Sequence, residues 1–404
     1  MDDDFAQVEA AVRAIAEGRV VIVLDDEDRE NEGDFICAAE KCTPEMVNFM
    51  VTHGRGLLCV PMLPDTAERL KLDLLKTSDP TRPLNTAFTI TVDHCSVRTG
   101  ITTEERARTI TALADSQSTS ESFSTPGHVN PLIAKEGGVL RRAGHTEATV
   151  DLMRLAGLEP VGVLIEILNQ SGDRASRTEL QRIGRENGLP MITIEQLIRY
   201  RRRSEQLVYR TGEALLPTKR GHFKIIGYKV KYETQEPIAL VFGDLQADEA
   251  PLVRMHSSCF TGDLIESLRC DCGDQLNMAL DMISQEGCGA LVYLPQEGRG
   301  IGLAEKIKAY ALQDQGLDTV QANLALGYKA DPRDYGVGIQ ILKDLGLSRV
   351  RLMTNNPKKT DAFIYGGFEL EADQVPIAPV ANEHNADYLR TKREKMGHDL
   401  PDAS

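Results

Sequence analysis

No apolar run in this chain approaches the roughly 20 residues that a membrane-crossing helix needs, and Met1-Asp2-Asp3-Asp4 lacks the basic start of a secretory signal. A soluble, cytoplasmic protein without a membrane partner is expected. Internal repeats and low-complexity tracts are absent as well, which excludes solenoids and biased tails. Basic residues are in deficit: 46 Lys and Arg stand against 61 Asp and Glu, a net charge of -15. That balance argues against a general nucleic-acid partner, and any anionic substrate must meet a local cluster of cations. Cysteine is sparse too. Eight in 404 residues are too few for a disulfide framework, so free thiols in a reducing compartment are expected. Cys37, Cys42, Cys59, Cys95 and Cys288 are scattered, whereas Cys259, Cys270 and Cys272 stand close together, as metal ligands do.

The length exceeds what one hydrophobic core normally organises, and the composition, 41% hydrophobic and 26% charged, is that of a folded globular chain. Strands and helices alternate. A helical stripe at Val8, Val12 and Ile15 leads into the β-branched run Val20 to Leu24, and a polar loop covers Asp25 to Asp34. Thr43-Pro44 opens a second helix, and Thr102 with Glu105 has capping-box spacing before a third. Phe88, Ile90 and Val92 alternate like a half-buried strand; Glu147 to Leu155 and Glu179 to Gly188 read as helices, and Val161 to Leu168 as a strand. The polar stretch 201–206 separates this half from a new series: strands at Phe223 to Tyr232, Ile238 to Phe242, Leu252 to Met255 and Ala290 to Leu294. Helical stripes follow Leu276, Ala279, Leu280 and Ile283, and Leu303, Ile307 and Tyr310. An α/β fold with domains 1–203 and 204–404 is expected, with parallel α/β segments where helices and strands alternate in the second, up to about Thr354.

The loop Asp25-Asp26-Glu27-Asp28-Arg29-Glu30-Asn31-Glu32-Gly33-Asp34 packs seven carboxylates into ten residues directly after an apolar strand. A divalent cation would relieve their repulsion; a solvated turn is the alternative. His128, in Pro126-Gly127-His128-Val129, and His145, in the stretch Gly138 to Glu147, each follow a glycine, where backbone approaches a ligand closely. Arg142 and Thr146 flank His145 and supply a charge and a hydroxyl suited to phosphate. A structural histidine in a turn remains the competing reading.

These stretches, with Thr99-Gly100-Ile101 and Glu166-Ile167-Leu168-Asn169, run in the order found in 3,4-dihydroxy-2-butanone 4-phosphate synthase, which residues 5 to 202 resemble. The resemblance implies an α+β domain that converts ribulose 5-phosphate to a four-carbon phosphate and formate with paired Mg²⁺ or Mn²⁺ ions. It implies Glu30 and His145 as metal ligands, and Arg29, Glu30, Asp34, Arg142, Ala143, Gly144, His145, Thr146 and Glu166 around the sugar phosphate. His128 and Glu166 would be the acid and base groups. Arg98, Ser124, Thr125 and Asn130 depart from the usual pattern.

In the second half, three cysteines bind Zn²⁺ readily, and three ligands rather than four leave a position for water or substrate. Structural zinc would need a fourth ligand, for which His256 is the nearest candidate. Val292 to Gly302 reads as a strand, a glycine-rich turn carrying Arg299 and a helix start, which suits a polyphosphate. With Arg254-Met255-His256-Ser257, Ser267 to Gly273, Ala330 to Tyr335 and Thr354 to Lys359, these features resemble GTP cyclohydrolase II from about Thr211 to Leu400. The resemblance implies an α/β domain in which Cys259, Cys270 and Cys272 hold zinc and water opens the guanine imidazole. Arg254, Met255, His256, Ser257, Ser258, Gln275, Glu297, Gly298, Arg299, Thr319, Thr354 and Lys359 would bind GTP. Asp331 would accept a proton, Tyr310 would be a hydrogen-bond partner of the transition state, and Arg333 would act as nucleophile at the α-phosphate. Because guanidinium stays protonated, an electrostatic role for Arg333 is the alternative. Ser258 and Glu305 depart from the usual pattern.

The expectation is a bifunctional enzyme of riboflavin synthesis, homodimeric, with ribulose 5-phosphate and GTP as substrates and no nucleic-acid partner. The rivals are a cyclohydrolase whose first half is inactive and only dimerises, and a zinc-stabilised nucleic-acid-binding protein.

Overall fold

Every residue of Val21–Leu24 (β1) is buried, and alternate side chains enter different cores: Ile22 and Leu24 one, Val21 and Val23 the other. A continuous apolar run is what a strand covered on both faces requires. The computed structural model describes residues 2–26, 29–76, 86–328, 333, 335–356, 359, 363, 370–377, 382 and 385–396. It divides into two compact units, residues 1–201 and 202–404.

In the first unit the other strands are Gly33–Ala38 (β2), Cys59–Met62 (β3), Val92–His94 (β4), Phe123–Ile133 (β5), Gly162–Glu166 (β6) and Met191–Thr193 (β7). They form one mixed sheet in the order β4-β5-β3-β6-β2-β1-β7. One face is covered by helices Pro44–His53, Thr103–Ala114 and Arg177–Asn187 through Val47, Met50, Ile110, Leu113 and Leu180. The other face is covered by Asp2–Ala16, His145–Leu155 and Ile194–Ser204 through Val8, Ile15, Leu152, Met153 and Leu197.

Thr43 caps its helix as expected, accepting from the Met46 amide at 3.3 Å. At Thr102 the reciprocal half of the capping box is diverted: the Glu105 carboxylate takes the amides of Arg98, Thr99 and Gly100 instead of the cap residue's own. Three further observations differ from the periodicity. The loop after β1 ends at Glu32, because Gly33 and Asp34 already pair in β2. Of the Phe88, Ile90, Val92 alternation only Val92 lies in a strand; Phe88 contributes an isolated bridge to Leu132. The helix expected from Glu147 begins at His145, since extended Gly144 serves as its cap.

The second unit has Val208–Thr218 (β8), Gly221–Val230 (β9), Ile238–Phe242 (β10), Leu252–Ser257 (β11), Gly289–Leu294 (β12), Arg349–Met353 (β13) and Glu371–Val375 (β14), ordered β14-β13-β11-β12-β10-β9-β8. Only the β14-β13-β11-β12 side is parallel. The β12-β10-β9-β8 side is an antiparallel meander, so the sheet is mixed. Helix Cys272–Glu286 packs Ala279 and Ile283 on one face, and Gly336–Asp344 packs Ile339, Ile341 and Leu342 on the other. Among the described residues no helix is long and apolar enough to cross a membrane.

Candidate active sites

In the first unit the acidic loop closes the hairpin between β1 and β2, and its first residue organises it. Buried Asp25 accepts the Glu32 amide at 2.8 Å and the Glu30 amide at 3.2 Å. Arg29 pairs with Asp25 at 2.8 Å and also with Glu30. Ligand-capable atoms of Asp25, Glu30 and His145 all lie within 4.8 Å of one another. His145 starts its helix with Nε2 placed 3.1 Å from the Val23 carbonyl. If Nε2 carries the proton, Nδ1 keeps its lone pair for a cation. Burial pushes this imidazole down to about 4, against the pull of Asp25, so it is neutral at pH 7.

Asp34 on β2 stands opposite Glu166 on β6. Its carboxyl is held well above the usual range, first by burial and then by the charges of Glu166, Glu32, Asp25 and Glu30, and its Oδ1 has no hydrogen-bond partner among the described residues. Glu32 is pushed up to about 6, again chiefly by burial. Glu166 accepts the Leu57 amide at 2.8 Å. Arg142 is paired at 2.7 Å with Glu147, which also takes the Lys135 amide at 3.0 Å, and Thr146 is buried on the first turn of the same helix. His128, on β5, is bonded to Asp93 of β4 through both its ring and its amide.

In the second unit β11 delivers Arg254 to Ser257 into a loop, and the thiols of Cys259, Cys270 and Cys272 gather within 4.8 Å. Cys259 and Cys270 sulfurs are 3.7 Å apart. Hydrogen bonds from the other two thiols, and then the Lys306 charge, lower Cys259, whereas Cys270 is raised to about 11. His256 is not a member of the cluster; its Nε2 lies 3.0 Å from Asp263, whose carboxylate also takes Tyr293 OH at 2.9 Å. Lys306 bridges Cys259 at 3.1 Å, Thr261 at 2.9 Å and Glu297 at 2.8 Å, and Tyr310 OH meets Thr261 at 3.1 Å.

Gly298 and Arg299 take left-handed φ of 61° and 64°, and the turn aims Arg299 into the thiolate pocket. Both terminal nitrogens of Arg299 are buried without a hydrogen-bond partner among the described residues. A second, cationic pocket is lined by Arg254, Gln275, Thr354, Lys359 and Lys392. Ser257, Cys272, Arg333 and Tyr388 line both pockets, so the two adjoin.

The chain can now be compared with known proteins. Residues 9–200 match the family model for 3,4-dihydroxy-2-butanone 4-phosphate synthase, and residues 209–376 that for GTP cyclohydrolase II. Riboflavin biosynthesis protein RibBA of Bacillus mycoides is 53% identical over 395 residues, 98% of this chain and 99% of that protein. The Bacillus cereus protein of the same name is 54% identical over the same shares. The chain belongs to the bifunctional riboflavin biosynthesis family. A solved structure, a two-domain 3,4-dihydroxy-2-butanone 4-phosphate synthase from A. baumannii called RibBX, is similar at TM-score 0.71 and 32% identity, covering 91% of this chain and 99% of that one. As a riboflavin biosynthesis enzyme the chain acts on small molecules and joins synthase and cyclohydrolase in one polypeptide, which favours the bifunctional reading over both rivals.

Several expected positions in this riboflavin enzyme come together and others do not. Glu30 and His145 meet, with Asp25 as a third member that the motif contained without marking. Glu166 and Asp34 face each other across the sheet. Ala143 and Gly144 form the approach to the His145 helix. His128 bonds to Asp93 rather than to any member of the acidic cluster, and nothing in the sequence around Asp93 signalled it. In the cyclohydrolase half Ser258, Thr319 and Tyr310 line the thiolate pocket. The Met255 side chain lies in the core, and only its carbonyl faces a functional group, Lys359 Nζ at 2.6 Å. Asp331 lies outside the described residues. Cys59 and Lys306 are the other groups that the motifs did not flag. The Cys59 thiol is raised by burial and by the Glu166 and Asp34 charges, and Lys306 follows Glu305 on a helix whose stripe reads as ordinary packing.

Proposed function

We propose that residues 1–203 convert ribulose 5-phosphate to 3,4-dihydroxy-2-butanone 4-phosphate and formate, and that residues 204–404 hydrolyse GTP to a 2,5-diaminopyrimidine ribotide, formate and pyrophosphate. For the first reaction the carrying observation is the meeting of Asp25, Glu30 and His145 beside Asp34, whose Oδ1 lies 3.8 Å from His145 Nδ1 and makes no hydrogen bond among the described residues. Hard oxygen donors with one imidazole suit Mg²⁺ or Mn²⁺. Glu30 and His145 would hold the paired ions, with Asp25 beside them, and the bound ions would acidify the substrate proton and stabilise the enediolate. Arg142, kept in place by Glu147, and Thr146 bind the phosphate, with Arg29 and Asp34 on the sugar. Glu166 and His128 move protons. Asp93 accepts from His128 Nδ1–H, leaving the Nε2 lone pair as the base.

For the second reaction the carrying observation is a three-thiol cluster on the wall of a pocket that also holds the unpartnered Arg299 guanidinium. Three soft ligands, with His256 committed to Asp263, suit a Zn²⁺ ion with an open position. Zinc there would supply hydroxide at neutral pH for attack on the imidazole carbon of guanine. Lys306 and Tyr310 orient Thr261 and Glu297 around that pocket. Arg254 and Lys359 sit in the cationic pocket where the triphosphate binds, and Arg333, lining both pockets, stabilises charge at the α-phosphate as pyrophosphate leaves. Asp331, two positions before Arg333 in the sequence, is the proton acceptor. A homodimer in the cytoplasm, where thiols stay reduced and no nucleic acid is bound, completes the reading.

The deciding experiment incubates the purified protein with each substrate separately, with divalent cation and zinc present. Formate with the four-carbon phosphate in one vessel, and formate with pyrophosphate and the pyrimidine in the other, are expected. Absence of either product pair removes that half of the reading, and sedimentation at the single-chain mass removes the dimer.

A further inference from the structure

A helix after the last strand, Ala386–Met396, reaches the site through Tyr388 and Lys392. Its composition is mostly polar, so an amphipathic face is a weak reason for it to dock. What it buries instead is a charge. Lys392 is 7% exposed, and its Nζ lies 2.6 and 2.9 Å from the two oxygens of Asp271, which is itself fully buried. Asp271 is the residue between Cys270 and Cys272, and it also accepts from Gln275 Nε2 at 2.7 Å. Gln275 in turn receives Arg254, whose guanidinium donates to the Met353 carbonyl at 2.7 Å. A continuous polar chain therefore runs from the helix, past the peptide joining two of the three thiols, to the cationic pocket.

One turn earlier on the helix, Tyr388 lines both the thiolate pocket and the cationic pocket. Its ring lies 5.9 Å from the Arg299 guanidinium and 4.8 Å from Lys392 Nζ. A nucleotide with its base at the thiols and its phosphates among the cations must pass that ring. An aromatic face stacks on a base or sugar at little conformational cost. A buried ion pair, by contrast, is weak evidence for stability and better suited to holding one arrangement.

We propose that the helix Ala386–Met396 is a working part of the cyclohydrolase site: Tyr388 contacts the bound nucleotide, and Lys392 is a positioning residue that, through Asp271, sets the Cys270–Cys272 pair and the Gln275–Arg254 arm. This rests on the reading of the thiolate pocket as the GTP site. Breaking the pair leaves the Asp271 carboxylate buried and unneutralised, so the peptide between the two cysteines shifts. Removing the Tyr388 ring takes away a wall of both pockets while leaving all three thiols in place.

The test uses the full-length protein with Tyr388→Ala, Tyr388→Phe, Lys392→Met and the charge-neutral double variant Lys392→Met/Asp271→Asn. Tyr388→Ala is expected to raise KM for GTP about tenfold with a smaller change in kcat, and Tyr388→Phe to keep KM within about twofold, because the ring face makes the contact. Lys392→Met is expected to lose zinc to a chelator faster than the parent and to drop in kcat/KM; the double variant, with no stranded charge, should recover part of the zinc retention. Formate release from ribulose 5-phosphate in the same samples should stay unchanged. A parent-like KM in Tyr388→Ala overturns the contact, and parent-like zinc retention in a folded Lys392→Met overturns the positioning role. Should Lys392→Met not fold, Tyr388→Ala and the double variant decide. A parent protein that yields no formate from GTP, or a Cys270→Ser variant that still does, fails the underlying site reading instead, and the proposal falls with it.

Discussion

His128 Nδ1 lies 2.7 Å from Oδ2 of Asp93, and the other oxygen of that carboxylate accepts the His128 amide at 2.9 Å. Ring and backbone are thus held by one side chain, which fixes both the orientation and the tautomer of the imidazole. Asp93→Asn keeps the shape but can present an amide N–H to Nδ1, turning the lone pair away from substrate. Formate release from ribulose 5-phosphate should fall by about 10²-fold, the usual scale for losing a general base, while GTP turnover is retained. Gly100→Ala should act at the same place, since a Cβ there would stand 2.1 Å from Asp93 Oδ2 and 2.5 Å from His128 Nδ1. Unchanged synthase rates in both variants would separate the pair from catalysis.

Glu105 holds the neighbouring loop. Its carboxylate accepts from Thr99 Oγ1 at 2.7 Å and from the amides of Thr99 and Arg98, and these bonds bring its pKa down to about 2. A depressed carboxyl binds fewer protons folded than unfolded, so its contribution is full above the ordinary value near 4.5 and is lost as pH falls towards 2. Glu105→Gln should therefore lower the denaturation midpoint at pH 7, with the gap to the parent closing between about 4.5 and 2. A gap that is constant across this range would show that the charge of Glu105 contributes nothing.

Glu30→Ala or His145→Ala should abolish formate production from ribulose 5-phosphate, and chelation of divalent cations should do the same to the parent. GTP turnover should stay within about threefold, because the two clusters belong to separate units. Ribulose-phosphate turnover that survives in Glu30→Ala would falsify the metal assignment.

Cys270→Ser replaces a thiolate that would bind Zn²⁺ at about 2.3 Å with a hydroxyl that is a poor ligand near neutral pH. Zinc should fall from about one per chain towards none, and imidazole opening should stop. Cys288→Ser is the control: its thiol donates to the Asp244 carbonyl at 3.2 Å and stands outside the cluster. Metal analysis of both proteins beside GTP turnover checks this, and ribulose-phosphate cleavage should persist in each.

The sequence alone carried whatever depends on local order: the β1 run, the Thr43 cap, the close spacing of Cys270 and Cys272, the acidic loop and the two family resemblances. Such features repeat over a few residues, where side-chain period and ligand spacing are visible. The short strands β3 and β7 escaped notice because sheet neighbours stabilise them more than their own composition does, and the parallel expectation holds for β11 to β14 while β8 to β10 pair antiparallel. Only the tertiary structure brought Asp25 to His145, Asp93 to His128, Lys306 to Cys259 and Lys392 to Asp271. Each partner is separated by between 35 and 121 positions along the chain. Contacts at that range depend on how strands and helices pack, and no periodicity in the sequence encodes which buried carboxylate will meet which cation.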